Sequence, residues 1–305
     1  MSYLRKKHKN NKAPKIIAVI IVLIVLFALL NTAVISAVVF TGSSILGEFF
    51  KDLPNINDLT PAKIALTSKI YSADGKLIGT LHGEQNRELV TLDQIPKNLI
   101  NAVVSIEDER FFEHSGFDVE GILRAFISNL KAGEITQGGS TITQEYIRNV
   151  YIPEEKNVIT YDRKIKEIVL AYQLEKIYTK NEILEMYLNT VYFGEGAYGV
   201  QAAAKTFFNK NVQDLNLQEC ALLAGLIQSP SQLSPYTNYN KALERRNIVL
   251  AKMHELKYIS QDEYEYAIKQ PIILERAKEE STDFAPYFVE YVKQELIEKY
   301  GVNKV

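Results

Sequence analysis

The feature that most constrains this chain is Ile16 to Phe40. These 25 residues carry no charge, and Asn31, Thr32 and Ser36 are their only polar side chains. A helix of that length reaches about 37 Å, enough to cross a hydrocarbon core of about 30 Å with some tilt. Residues 1–15 before it form a basic tail with Arg5, Lys6, Lys7, Lys9, Lys12 and Lys15 and no acid. A cationic block on one flank predicts a cytoplasmic N-terminus and an extracellular remainder. The rival is a cleaved signal peptide, whose apolar region is shorter, about 7–15 residues. The expectation is therefore a single-pass protein of the cell membrane, anchored by residues 16–40 and working at the outer face.

The rest has the composition of a packed protein. Apolar residues make up 47% of the chain and charged residues 24%, with a formal net charge of −2, so a core is expected and disorder is not. The basic residues that stand out are confined to the N-terminal tail, which argues against nucleic acid as a partner. Cys220 is the only cysteine. It sits in an apolar helical pattern, so a buried, inert thiol is expected. His and Cys are too few for a zinc site of ordinary spacing.

Residues 41–68 read as a stalk, with glycines, serines and prolines in Thr41 to Pro61. Residues 69–95 read as a small β element. Asp74-Gly75 between two apolar runs suits a tight primed turn, and Glu88 to Leu92 is a candidate third strand. Pro96 suits the first turn of a helix. That helix runs through an apolar stretch, Leu99 to Ile106, into S-I-E-D-E-R-F-F-E-H-S-G-F-D at 105–118. An apolar element that carries carboxylates and aromatics to its end can present a catalytic acid; it can equally be a solvated helix end. Val119, Ile122, Leu123, Phe126, Ile127 and Leu130 recur at helical spacing. That stripe suits core packing or, beside an anchor, the bilayer surface. Ser128 and Lys131 form an S-x-x-K, but no K-T-G comes after it, so the acyl-enzyme reading is discounted.

A glycine-rich loop at 131–140 leads into a helix that Ser140 or Thr141 can cap. Residues 161–188 carry one or two long helices. There Arg163 and Lys164 lie within one turn of Glu167. They form either surface salt bridges or a carboxylate held between cations to meet an anion. Residues 189–208 read as a tight glycine- and aromatic-rich loop running into a helix. Further helices are expected at 217–227, 241–253, 262–268 and 284–300.

Five motifs in one order give the chain a resemblance. They are E-D-x-x-F-x-x-H-x-G at 107–116, G-G-S-T-I-T-Q at 138–144 and R-K-x-x-E at 163–167. Then come I-L-x-x-Y-L-N-x-x-Y-F-G-x-G-x-x-G at 183–199 and A-L-L-A-G-L-x-Q-S-P at 221–230. Together they resemble the peptidoglycan glycosyltransferases, the domain shared by class A penicillin-binding proteins and monofunctional transglycosylases. The likeness covers roughly residues 60–275. It implies a mainly α, lysozyme-like, two-lobed glycosyltransferase domain at 96–275, with the small β element before it and the N-terminal transmembrane helix. Residues 276–305 resemble the linker into a transpeptidase domain.

The same resemblance implies a reaction: polymerisation of lipid II into glycan strands by inverting transfer to the acceptor 4-hydroxyl, with release of undecaprenyl pyrophosphate. It makes Glu107 the base and Glu167 the second catalytic carboxylate. It assigns substrate binding to Asp108, Phe111, His114, Gly116, Ser140, Thr141, Thr143, Gln144, Arg148, Asn149, Arg163, Lys164 and Asn189. No covalent cofactor is implied; a divalent cation (Mg or Mn) at the pyrophosphate is compatible with it. Implied partners are lipid II, the lipid-linked growing strand, the bilayer and other cell-wall synthesis or division proteins. Two features depart from the family pattern: Glu145 where a second glutamine is usual, and Ile227 where proline is usual. The alternatives are a lysozyme-like glycan-cleaving enzyme and an inactive membrane scaffold.

Overall fold

The computed structural model describes residues 68–81, 88–132, 138–153, 160–276 and 285–301. All belong to the second of the two units into which the chain divides, Pro54–Val305. The basic tail, the expected anchor at 16–40 and all of the stalk before Ser68 lie outside the described residues. So do the middle of the glycine-rich loop and residues 277–284. Among the described residues, no helix is long and apolar enough to cross a membrane.

The described part is mainly helical with a small β element. Strands β1 (Ser68–Tyr71) and β2 (Leu77–Leu81) pair antiparallel, with Lys69 opposite Thr80 and Ile70 opposite Gly79. The turn is wider than the expected two-residue form. Ser72 N donates to Lys76 O at 2.8 Å, so Ala73, Asp74 and Gly75 reverse the chain. The candidate third strand does not form. Val90 bonds to the carboxamide of Asn189 instead of to a strand, and Leu92 opens a 3-10 turn that ends at Gln94.

Helix α1 (Lys97–Glu107) begins after Pro96 and buries Leu99, Ala102, Val103 and Val104, a one-sided i, i+3, i+4 pattern. Next in the chain are α2 (Val119–Ala132), α3 (Ile142–Val150), α4 (Tyr161–Ile177) and α5 (Lys180–Leu188). The break between α4 and α5 has a local cause. Thr179 caps α5, and Glu182 returns a bond to the Thr179 backbone, the reciprocal pair that starts a helix. Residues 189–199 fold as a two-strand hairpin rather than a plain loop, β3 (Tyr192–Gly194) with β4 (Ala197–Tyr198). The helices α6 (Val200–Phe208), α7 (Leu217–Leu226), α8 (Tyr239–Glu255), α9 (Gln261–Lys269) and α10 (Pro286–Tyr300) complete the set.

The core is organised around α7, whose residues Cys220 to Leu226 are all buried. A helix apolar on every side needs neighbours on every side, and α1 and α8 supply two of them. Gly225 sets the spacing to α8, because a Cβ there would meet Arg245 Cγ at 3.0 Å. Cys220 is buried as expected, and burial pushes its thiol pKa up. The packing of α1 and α8 against α7 brings the end of α1, which carries Glu107, to the face of α8, which carries Arg245.

Candidate active site

A cavity of about 760 Å³ opens where the C-terminal end of α1 meets α3, the β3–β4 hairpin and α8. Glu107 and Asp108 line it from α1; Ser140 and Thr141 from the approach to α3; Glu145, Arg148 and Asn149 from α3 itself. The last three share one helix face by their i, i+3, i+4 spacing. Tyr192, Gln228 and Arg245 close the other side.

Glu107 is left unsatisfied in the site. Its Oε1 is buried and has no hydrogen-bond partner. Burial, then the charge of Glu145, raise its pKa to about 8, against the pull of Arg245 and Arg148. Glu145 in turn accepts from Tyr187 Oη at 2.9 Å and from Arg148 at 3.1 Å. The residue that departs from the family pattern is thus a working part of the cavity wall. Burial pulls the Arg148 pKa down, but Glu145 and Glu167 outweigh it, and the guanidinium is held above its ordinary value. Arg245 is the reverse case: burial outweighs Glu107 and lowers it. Its Nε is also buried without a hydrogen-bond partner. Sequence reasoning marked Arg245 only as part of a helix. Nothing in the sequence near Arg245 marks it as a site residue, because its place depends on how closely α8 packs on α7.

Glu167 does not line the cavity. It is fully buried, with Arg163 Nε at 3.1 Å, Lys164 Nζ at 3.2 Å and Arg148 Nη1 at 3.7 Å. Arg163, Lys164 and Glu167 are therefore a carboxylate held between cations and not a set of surface salt bridges. Arg148, at the cavity, and Glu167, behind it, are joined directly. Lys164 also donates to Ser140 Oγ at 2.8 Å and Gln144 Oε1 at 2.6 Å. Burial lowers its pKa despite Glu167.

Several residues expected to touch substrate lie behind the cavity wall. Asp108 reaches the cavity edge, yet its carboxylate is engaged. His114 Nε2 stands 3.0 Å from both its oxygens, and Ile142 N donates to Oδ2 at 3.0 Å. Phe111 is fully buried. Gly116 lies against α4, where a Cβ would stand 2.6 Å from Tyr172 N, and its φ is +83°. Its carbonyl accepts from Thr141 Oγ1 at 2.8 Å and Gln144 Nε2 at 3.1 Å. Thr143 Oγ1 donates to Glu175 at 2.5 Å. Asn189 is spent on backbone: it accepts from Val90 N and donates to Val90 O and Glu185 O. These side chains and the Gly116 backbone form the frame of the site and do not line its opening. The polar-rich motif cannot by itself separate the two, since a buried polar residue needs partners whether or not it meets a ligand.

The chain is similar to known proteins. The family model for transglycosylases matches residues 74–254. The chain belongs to the transglycosylase family. It is 43% identical over 252 residues to penicillin-binding protein 1A of Aquifex aeolicus (strain VF5), covering 83% of this chain and 34% of that one. It is 43% identical over 249 residues to penicillin-binding protein 1A of Escherichia coli (strain K12), covering 82% and 29%. The crystal structure of penicillin-binding protein 1A from Haemophilus influenzae is 32% identical, covers 79% of this chain and 26% of that one, and superposes with a TM-score of 0.45. The chain thus spans about a third of the length of the curated relatives it matches.

Among the described residues, no group of three or more His, Cys, Asp or Glu side chains is arranged to hold a metal ion. At the cavity, Asp108 and Glu145 already have partners of their own.

Proposed function

We propose that this chain polymerises lipid II into peptidoglycan strands, with Glu107 as the general base. The observation that carries the proposal is the pairing across one cavity of an unsatisfied carboxylate with high proton affinity and two guanidinium groups, Arg148 and Arg245. A sugar hydroxyl is a poor nucleophile at neutral pH and needs a base within hydrogen-bond reach whose pKa is near the working pH. The acceptor 4-oxygen attacks the anomeric carbon of the lipid-linked strand and its proton passes to Glu107. The bond from that carbon to the pyrophosphate breaks, and the configuration inverts. Pyrophosphate leaves as an anion. It needs positive charge in place rather than a proton, and Arg148, backed by Glu167, Arg163 and Lys164, is placed to supply it. No step is assigned to a metal ion.

On the same reading the fold is lysozyme-like and two-lobed, and α2 lies toward the bilayer. Its Val119, Ile122, Leu123 and Ile127 are exposed, which suits a lipid surface at the mouth of a site for a lipid-linked substrate. Residues 16–40 anchor the chain, and the catalytic part is extracellular. Incubating the detergent-solubilised protein with lipid II should give long glycan strands; a Glu107→Gln variant as active as the parent removes Glu107 as the base.

One observation favours a second reading. A glutamate with a pKa of about 8 is mostly protonated at neutral pH, the state a glycan-cleaving enzyme needs in its general acid. Lipid-free glycan strands discriminate the two: shortened products mean cleavage. The two cations at the cavity favour transfer, because an alcohol leaving group has no use for them.

A further inference from the structure

Behind Glu107 lies a second polar cluster that the reaction does not use. Lys180, at the start of α5, donates to Glu175, at the end of α4, at 2.8 Å, and stands 3.4 Å from His114 Nδ1. Its ammonium also lies 4.4 Å from the centre of the Phe111 ring. Glu175 accepts a second bond from Thr143 on α3. The chain of contacts runs Thr143–Glu175–Lys180–His114–Asp108 and ends one residue from Glu107. Its side chains are nearly buried: Glu175 is 6% exposed, His114 5%, Asp108 4% and Lys180 20%.

The hydrogen-bond roles in this cluster are dictated by chemistry. A lysine ammonium is a donor only, so the imidazole nitrogen facing it must accept. That leaves the ring proton on Nε2, which donates it in a hydrogen bond to the Asp108 carboxylate. The charged groups that face His114 are Asp108 and Lys180, with Asp118 farther off at the start of α2. Because Asp108 also receives Ile142 N, the carboxylate is fixed from two directions, by the ring and by the start of α3.

We propose that Lys180 and Glu175 are positioning residues: they hold His114 in the Nε2–H form, and the ring holds Asp108 and the end of α1 so that Glu107 points into the cavity. The functional half of this proposal rests on Glu107 being the base; the structural half does not. Full-length protein with ring-15N histidine in detergent, studied by solid-state NMR, reads the tautomer directly, with His114 assigned by loss of its signal in His114→Gln. The wild type should show the Nε2–H form at neutral pH, and Lys180→Met should lose that preference. The Nδ1–H form in the wild type overturns the proposal, whether or not the protein polymerises lipid II.

Activity supplies the second arm. Lys180→Met should lower kcat by about tenfold to a hundredfold with KM nearly unchanged, since a base displaced by a fraction of an ångström loses rate more than binding. Lys180→Arg should restore part of the loss. In a His114→Gln background, where the amide can donate to Asp108 without help, Lys180→Met should cost little more. An equal loss in both backgrounds, or a change in KM alone, overturns the positioning role. If Lys180→Met does not fold, the wild-type tautomer and the Lys180→Arg kinetics decide it. If the wild type makes no glycan, the functional reading of the site fails while the tautomer still tests the strut.

Discussion

The two sides of the site differ in how completely their polar groups are satisfied. On the back, Asp108, His114, Lys180 and Glu175 all bond to one another or to their neighbours, and Gln144 and Lys164 are likewise engaged; Glu167 accepts from Lys164 on Oε2, and its buried Oε1 makes no hydrogen bond but is held in ion pairs with Arg163 and Arg148. On the front, Glu107 Oε1 and Arg245 Nε are buried with no hydrogen-bond partner. A buried polar atom left unsatisfied costs about 1–3 kcal/mol, more when charged. A fold tolerates that where a ligand completes the bond, and satisfied groups more often serve the frame. The contrast therefore sorts one dense set of charges into groups that meet substrate and groups that hold them.

The largest test is at the front. Glu107→Gln should reduce lipid II polymerisation by about 10²–10⁴-fold, the usual contribution of a general base, measured as glycan formed per unit time. It should also stabilise the protein, and the sign comes from linkage. The folded-state pKa of Glu107 lies above its ordinary value, at about 8. The folded protein therefore binds more protons than the unfolded chain between about pH 4.5 and 8. Parent stability from this group is greatest below that window and is lost as pH rises through it. The gain in Tm of Glu107→Gln over the parent should grow from pH 5 to pH 8 and then level. A gain that is flat with pH contradicts the high proton affinity.

Glu167→Gln strikes the back. It leaves Arg163, Lys164 and Arg148 without their shared anion, and breaking a buried ion pair costs about 3–5 kcal/mol. Denaturant melts should show that loss, and activity should fall with it. A variant that keeps its stability but loses its rate would move Glu167 to the front. Arg245→Met should be milder: a severalfold drop in rate and, because a cation near Glu107 is gone, an acid limb of the pH–rate profile displaced to higher pH. Glu145→Gln should displace the same limb the opposite way, because its charge raises the Glu107 pKa. Smallest in rate is Asn189→Ala. It should cost roughly 1–3 kcal/mol of stability through the backbone bonds it loses, with kcat of the folded protein unchanged.

Much of the molecule was legible in the residue pattern. Pro96, Thr141 and the apolar stretch from Leu99 to Ile106 mark α1 and α3, because helix starts and apolar runs are local properties. The turn after Ser72 depends on a three-residue reversal where Asp74-Gly75 suggested two. The segment at 88–92 departs from a strand for a non-local reason. Val90 finds its hydrogen bonds on Asn189, 99 residues away, and no window of sequence contains both. The motifs contain Glu107 and the cationic cluster of Arg163 and Lys164, and the resemblance adds Arg148, but neither distinguishes opening from frame. His114, Phe111 and Asn189 looked like contacts for substrate and are packed behind it.

By itself the sequence determined the family, the helices and the set of charges that converge on the end of α1, since these depend on residue type and spacing along the chain. Only the tertiary structure decided which of those charges are satisfied. That depends on what α4, α5 and α8 bring within about 3 Å of each one, and it is why Arg245 joined the site and Glu167 moved behind it.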